Sequence, residues 1–275
     1  MGLVDLLRTV GPPALALAAA VAVDRMAAAR GFDPPGFRDP VRRVLAGALL
    51  AGVFWVGIFG ALGAPAGEAP KNLQGTPMAQ LFLLHAVLVA VIGLWYLLGF
   101  AGFGAGARGG MGFAAQLGLR TPRPAREIGL GVVVGLCTWS ALILCVLAIA
   151  FVVSLVAGED ALPQKAPAAI LWIAALPVLV RTALALTAGA VEEAFFRGLL
   201  QPRIGILLST LFFAMAHLSY GQPFLLVGVT LLSLLYGLLT RMRQTIVPAM
   251  VAHAIFDGIQ LLIVVPAVLK LFGGS

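Results

Sequence analysis

Apolar runs of about 20 residues, separated by short polar stretches, constrain this chain more than any other feature. A run of that length crosses the ~30 Å hydrocarbon core of a bilayer as a helix. Inside lipid, only a helix or a closed barrel satisfies its own backbone hydrogen bonds. Eight runs are candidates: Thr9–Val23, Val44–Leu62, Ala79–Phe100, Ile128–Ala157, Val178–Leu200, Ile204–Ser219, Pro223–Thr240 and Thr245–Leu269. The first and sixth are short, and the fourth is long enough to tilt or emerge. Ala166–Pro177 is apolar too, but Pro177 breaks a helix there, so that piece reads as a separate interfacial or re-entrant segment. The expectation is an all-α polytopic membrane bundle of about eight transmembrane helices. It has no internal repeat and no detachable soluble part, so residues 1–275 form one integral membrane domain.

Composition supports this reading. Charged residues are 11% of the chain and hydrophobic ones 61%, whereas a soluble domain needs roughly 25% charged residues to solvate its surface. The net charge of +7 invites a nucleic-acid reading. Yet the basic residues lie mostly between the apolar runs, with no basic stripe of the kind a nucleic-acid face needs, so no nucleic-acid partner is expected.

Their distribution instead fits the cytoplasmic loops of a membrane protein. Arg25, Arg30, Arg38, Arg42 and Arg43 follow the first run, and Arg108, Arg120, Arg123 and Arg126 the third. Arg203 follows the fifth, and Arg241 and Arg243 the seventh. Lys71, Lys165, Arg8 and Lys270 fall on the other side. The split is twelve against four, which places both termini outside the cytoplasm. An alternative, a cleaved signal peptide over residues 1–29, would put five arginines outside. The Ala-, Gly- and Arg-rich composition suggests a bacterial inner membrane. Cys137 and Cys145 share one run and lie ~12 Å apart along a helix, too far for a disulfide, and read as core thiols.

Most acidic residues sit in loops, but Glu192, Glu193 and Asp257 lie within runs, as do His85, His217 and His253. An ionisable group in the bilayer costs several kcal/mol unless paired or wet, so its default reading is functional. Glu193 and Arg197 are four apart, the spacing of a helical ion pair. Glu192 is rotated about 100° from Glu193 and faces something else. Phe213 and His217 are four apart, as are His253 and Asp257, where the carboxylate could fix the imidazole tautomer. Counted from the basic side at 1.5 Å per residue, Glu192, His217 and His253 reach depths of ~16, ~20 and ~12 Å. One shared polar site accounts for this better than three coincidences.

Two carboxylates, two imidazoles and a guanidinium suit metal-assisted hydrolysis or general-base activation of water. No Ser–His–Asp arrangement, His-Glu-x-x-His motif or phosphate loop is evident. The ordered motifs Glu192-Glu193-x-x-x-Arg197, Phe213-x-x-x-His217 and His253-x-x-x-Asp257 resemble those of the CAAX-processing and bacteriocin-processing (CPBP) intramembrane proteases. The resemblance covers residues 178–269, taken here as the motif-bearing catalytic core. It implies an endopeptidase that hydrolyses a peptide bond of a membrane-associated protein or peptide. Glu192 and His217 would activate water, while His253 and Asp257 would hold the carbonyl oxygen or tetrahedral intermediate. Glu193 and Arg197 would brace the site, with Phe213 packed beside it. Part of that family has Asn where this chain has Asp257. An anionic Asp would repel an oxyanion, so Asp257 here orients His253 or carries a proton.

The resemblance leaves the cofactor open between none and Zn2+. A metal would draw on Glu192, His217 and His253. A different class of function is a non-enzymatic membrane protein: an immunity or scaffold protein, or a proton-coupled transporter. Transporters usually show symmetry between halves, whereas these ionisable residues crowd the last third. His85 has no acidic neighbour in its own run and reads as a packed or pore-facing histidine. Arg181 reads as snorkelling or paired within the bundle.

Overall fold

The computed structural model describes residues 3–63, 78–102, 112–162, 168–218 and 223–267. Among them there is no strand. In chain order the helices are α1 (Leu3–Ala29), α2 (40–63, with a π turn at Phe54–Phe59), α3 (Met78–Phe100), α4 (Phe113–Gln116) and α5 (Pro124–Ala157). They are followed by α6 (Ala168–Ala175), α7 (178–204), α8 (Ile206–Ala216), α9 (Pro223–Arg243) and α10 (247–267). This is the expected all-α membrane bundle.

Six of these helices are long and apolar enough to cross a membrane: α1, α2, α3, α5, α9 and α10. The other two expected crossings differ from the ordinary pattern for physical reasons. Helix α7 is continuous and long, but it carries Arg181, Glu192, Glu193, Arg197 and Arg203, so it is too charged to read as a plain lipid-facing span. Helix α8 has 11 residues and rises only ~16 Å, half of the hydrocarbon core. It ends with His217 as its C-terminal cap. The break at Pro177 is as expected, with α6 ending at Ala175 and Pro177 capping α7.

Outward-facing residues are large and apolar, including Leu144, Leu147, Phe151, Leu155 and Val156 on α5 and Leu83 and Leu97 on α3. This is the surface of a bundle solvated by lipid. Cys137 and Cys145 lie on that outer face of α5, both free and exposed, rather than in the core as their apolar neighbourhood implied. The main buried cluster joins α1, α2, α3 and the lower half of α7 through Val23, Phe54, Ile58, Trp95, Leu199 and Leu200.

One end of the bundle is stitched together by the basic segments. Arg43 pairs with Asp24 at 2.8 Å, and Arg42 donates to the Ala101 carbonyl at 2.9 Å. Arg30 donates to the Arg203 carbonyl. Gly118 accepts from Thr245 Oγ1 and the Ile246 amide, and Arg243 pairs with Glu127. The connections after α1, α3, α7 and α9 thus meet at the same end, as the charge alternation requires. Lys71, Lys165, Lys270 and Arg108 lie outside the described residues.

Two glycines set the geometry around α7. Gly205, at φ +87°, makes the turn from α7 into α8 that an L side chain would strain. Gly189 lets α7 touch α10 directly: a Cβ there would stand 2.6 Å from the Met250 carbonyl oxygen and 2.7 Å from the Ala254 nitrogen. That approach brings Glu193, one turn on, against His253.

Candidate active site

Helix α7 supplies the acidic half of the site. Residues Ala188–Glu192 and Ala194–Leu200 follow the wider π pattern, which recurs at functional positions in helices. The expected pairing survives this change of winding. Glu193 Oε1 lies 3.0 Å from Arg197 Nη1, with both side chains buried.

Glu193 does more than brace Arg197. The same oxygen lies 2.8 Å from His253 Nδ1 on α10. His253 Nε2, on the other side of the ring, lies 3.5 Å from Asp257 Oδ2. The tautomer-fixing partner expected of Asp257 alone is therefore divided, with Glu193 closer than Asp257. Arg197 is fixed in turn: its Nη2 donates to the Ser233 carbonyl at 3.2 Å, and its guanidinium lies 4.4 Å over the Phe213 ring. A desolvated cation–π contact of this kind contributes ~2 kcal/mol.

Phe213 is the apolar hub of the site. Its ring lies 4.6 Å from that of His217 and 6.0 Å from that of His253. The residue expected to be packing beside the site thus packs on both catalytic candidates. His217 Nδ1 donates to the Phe213 carbonyl at 2.7 Å, which leaves Nε2 as the nitrogen able to accept a proton. Tyr236 backs His253 with ring centroids 6.0 Å apart, while its hydroxyl meets Thr138 Oγ1 at 3.3 Å.

Glu192 turns to a different partner, as its rotation from Glu193 implies. It is not alone in an apolar site, however: Oε1 lies 3.4 Å from Nε2 of His85 on α3. His85 Nδ1 is 3.0 Å from Thr187 Oγ1, just over one turn before Glu192 on α7. Glu192 Oε2 is buried and has no hydrogen-bond partner among the described residues, and His85, His217 and His253 all lie within electrostatic reach of the carboxylate. His85 and Thr187 are site residues that the sequence did not mark as such. The only signal for His85 was its ionisable ring inside an apolar run, and Thr187 gave none.

The donor set does not suit a metal as it stands. A catalytic zinc takes three protein ligands and an open position. His253 turns both ring nitrogens towards carboxylates, so it offers a lone pair only by giving up one of them. The other two would bind through His217 Nε2 and Glu192 Oε2. Among the described residues no group of three His, Cys, Asp or Glu is placed to hold an ion.

Residues 174–259 match the family model of the type II CAAX prenyl endopeptidase Rce1-like proteins. The match contains all three motifs. Residues 174–259 thus resemble that family. This is the CAAX-protease likeness read from Glu192, Glu193, Arg197, Phe213, His217, His253 and Asp257, and it leaves α1 to α5 unmatched. An uncharacterised Bacillus subtilis (strain 168) protein, YpbD, is 39% identical over 69 residues, 25% of this chain and 36% of that relative. The chain thus spans about a third of that relative's length. No solved structure matches.

Proposed function

We propose that this protein is an intramembrane endopeptidase that hydrolyses a peptide bond of a membrane-associated protein or peptide. One observation carries the reading. Glu192 and Glu193, adjacent in sequence, are committed to different partners, Glu193 to Arg197 and His253 and Glu192 to His85. Such a division separates a bracing carboxylate from a reactive one. The Rce1-like match over the same residues supports the reaction class.

In this reading Glu192 Oε2 and His217 Nε2 hold the attacking water, and Glu192 accepts its proton as general base. His253, clasped by Glu193 at Nδ1, turns its Nε2–H from the longer contact with Asp257 to the carbonyl oxygen as it gains negative charge, an electrostatic role that needs fixed donors in a dry site. Asp257, on the open side of His253, orients the ring or carries a proton. The proton held by Glu192 then passes to the leaving amine. The chain's own residues complete this cycle without a metal, in line with the engagement of both His253 nitrogens. The basic end of the bundle faces the cytoplasm.

The test is to reconstitute the purified protein in liposomes with membrane-anchored peptides in 18O-labelled water, and to analyse products by mass spectrometry. Hydrolysis predicts cleaved peptides with one 18O in the new carboxylate. A protein inert towards a broad panel of membrane peptides would favour a non-enzymatic scaffold or transporter instead.

A further inference from the structure

We propose that His85 is the positioning residue of Glu192, and that Thr187 in turn orients His85. This rests on the endopeptidase reading above and extends its machinery to α3, outside the matched residues 174–259.

The hydrogens fix the direction of each bond. Thr187 Oγ1 lies 2.8 Å from the Ala183 carbonyl and 3.2 Å from the Leu184 carbonyl, so its own hydrogen points back into α7. Its lone pairs face His85 Nδ1 at 3.0 Å, and the ring must therefore donate there. With Nδ1 carrying a hydrogen, Nε2 meets Glu192 Oε1 at 3.4 Å through a proton held between them. For Glu192 to act as a base that proton sits on nitrogen, an N–H donated to the carboxylate, and Oε1 is thereby committed to His85. Oε2, buried and without a hydrogen-bond partner among the described residues, is the oxygen left to receive a proton from water.

Burial adds a second constraint. His85 is 8% exposed on a helix of mostly apolar side chains, among them Leu83, Leu84, Leu88 and Val91. A buried imidazole keeps its place there only by being hydrogen-bonded, and both its nitrogens are spent on α7. The Thr187–His85–Glu192 chain thus fixes the carboxylate's rotation as a third group fixes the base in other hydrolytic sites. Phe at position 85 would keep the packing and lose the hold on Oε1.

The experiment uses full-length protein in liposomes with a peptide that the wild type cleaves. kcat, KM and melting temperature are measured for His85→Phe, His85→Gln, Thr187→Val and Thr187→Ser, each alone and in a Glu192→Gln background. His85→Phe is expected to lower kcat by at least ~10-fold, the usual scale for losing an orienting partner, with KM and melting temperature unchanged. His85→Gln, whose amide can still donate to Oε1, recovers part of the loss. Thr187→Val loses less, and Thr187→Ser recovers it. In the Glu192→Gln background none of the four lowers the residual rate further, because groups acting as a unit are non-additive. If Glu192→Gln is inactive while His85→Phe keeps the wild-type kcat, the inference falls and the endopeptidase reading stands. The inference also falls, and the endopeptidase reading again stands, if His85→Phe costs as much without Glu192 as with it. If Glu192→Gln cleaves like the wild type, the inference falls together with the assignment of Glu192 as base, while the endopeptidase activity stands; a wild-type protein inert towards every membrane peptide would sink the activity itself.

Discussion

His253 Nδ1 lies 2.8 Å from Glu193 Oε1, the oxygen that also holds Arg197 at 3.0 Å. A single buried carboxylate oxygen therefore joins the histidine of one motif to the arginine of another. The brace and the site are one network.

The first consequence concerns folding. Glu193→Gln leaves Arg197 buried against Phe213 without its counter-charge and loosens His253. Breaking a buried pair in this way costs ~3–5 kcal/mol, so lower yield, a lower melting temperature in detergent and lost activity are expected together. Wild-type melting by Glu193→Gln would show that the network contributes little to stability.

The helix contact at Gly189 gives a second prediction. Gly189→Ala drives a Cβ into the backbone of α10 at Met250 and Ala254. Overpacking of this kind costs ~1–3 kcal/mol and moves backbone, so both melting temperature and cleavage should fall. Gly129→Ala on α5 is the control, because nothing lies within 4 Å of its Cβ, and Ala in place of Gly inside a helix adds ~0.5–1 kcal/mol. Equal behaviour of the two variants would contradict the close approach of α7 and α10.

Topology supplies the third. The basic connections meet at one end of the bundle, through Arg43–Asp24, Arg42–Ala101, Arg30–Arg203 and Arg243–Glu127. Reporter fusions after Arg43, Arg126 and Arg243 should all read cytoplasmic, and fusions near Lys71, Lys165 and the C-terminus external. A single external reading among the first three would break the assignment.

The fourth concerns metal. With His253 engaged on both nitrogens, elemental analysis of active, chelator-treated protein should find no stoichiometric zinc, and turnover should persist. Zinc at one per chain whose removal abolishes cleavage would require His253 to release a carboxylate and would overturn the metal-free mechanism.

Much of this was legible in the sequence. The apolar runs gave the helices, because backbone in lipid has few alternatives. The four-residue spacings placed Glu193 on Arg197, Phe213 on His217 and His253 beside Asp257, since local helical geometry decides such pairs. What was not legible is contact between helices distant in sequence. Nothing near His85 marks it as the partner of Glu192, 107 residues on, and nothing in the His253 motif announces that Glu193 outreaches Asp257. Length misled at α8, where an apolar run of nearly membrane length stops after 11 helical residues. Cys137 and Cys145 misled because an apolar run has the same composition whether it faces lipid or core.

The division of labour between the adjacent glutamates is the central claim, and Glu192→Gln tests it most directly. The substitution keeps size and polarity but removes the base. The measurement is cleavage of a membrane-anchored peptide by Glu192→Gln in liposomes, alongside its melting temperature. The expected result is a wild-type melting temperature with turnover lower by at least ~100-fold, the low end for losing a general base. Folded Glu192→Gln protein that cleaves at the wild-type rate would contradict it.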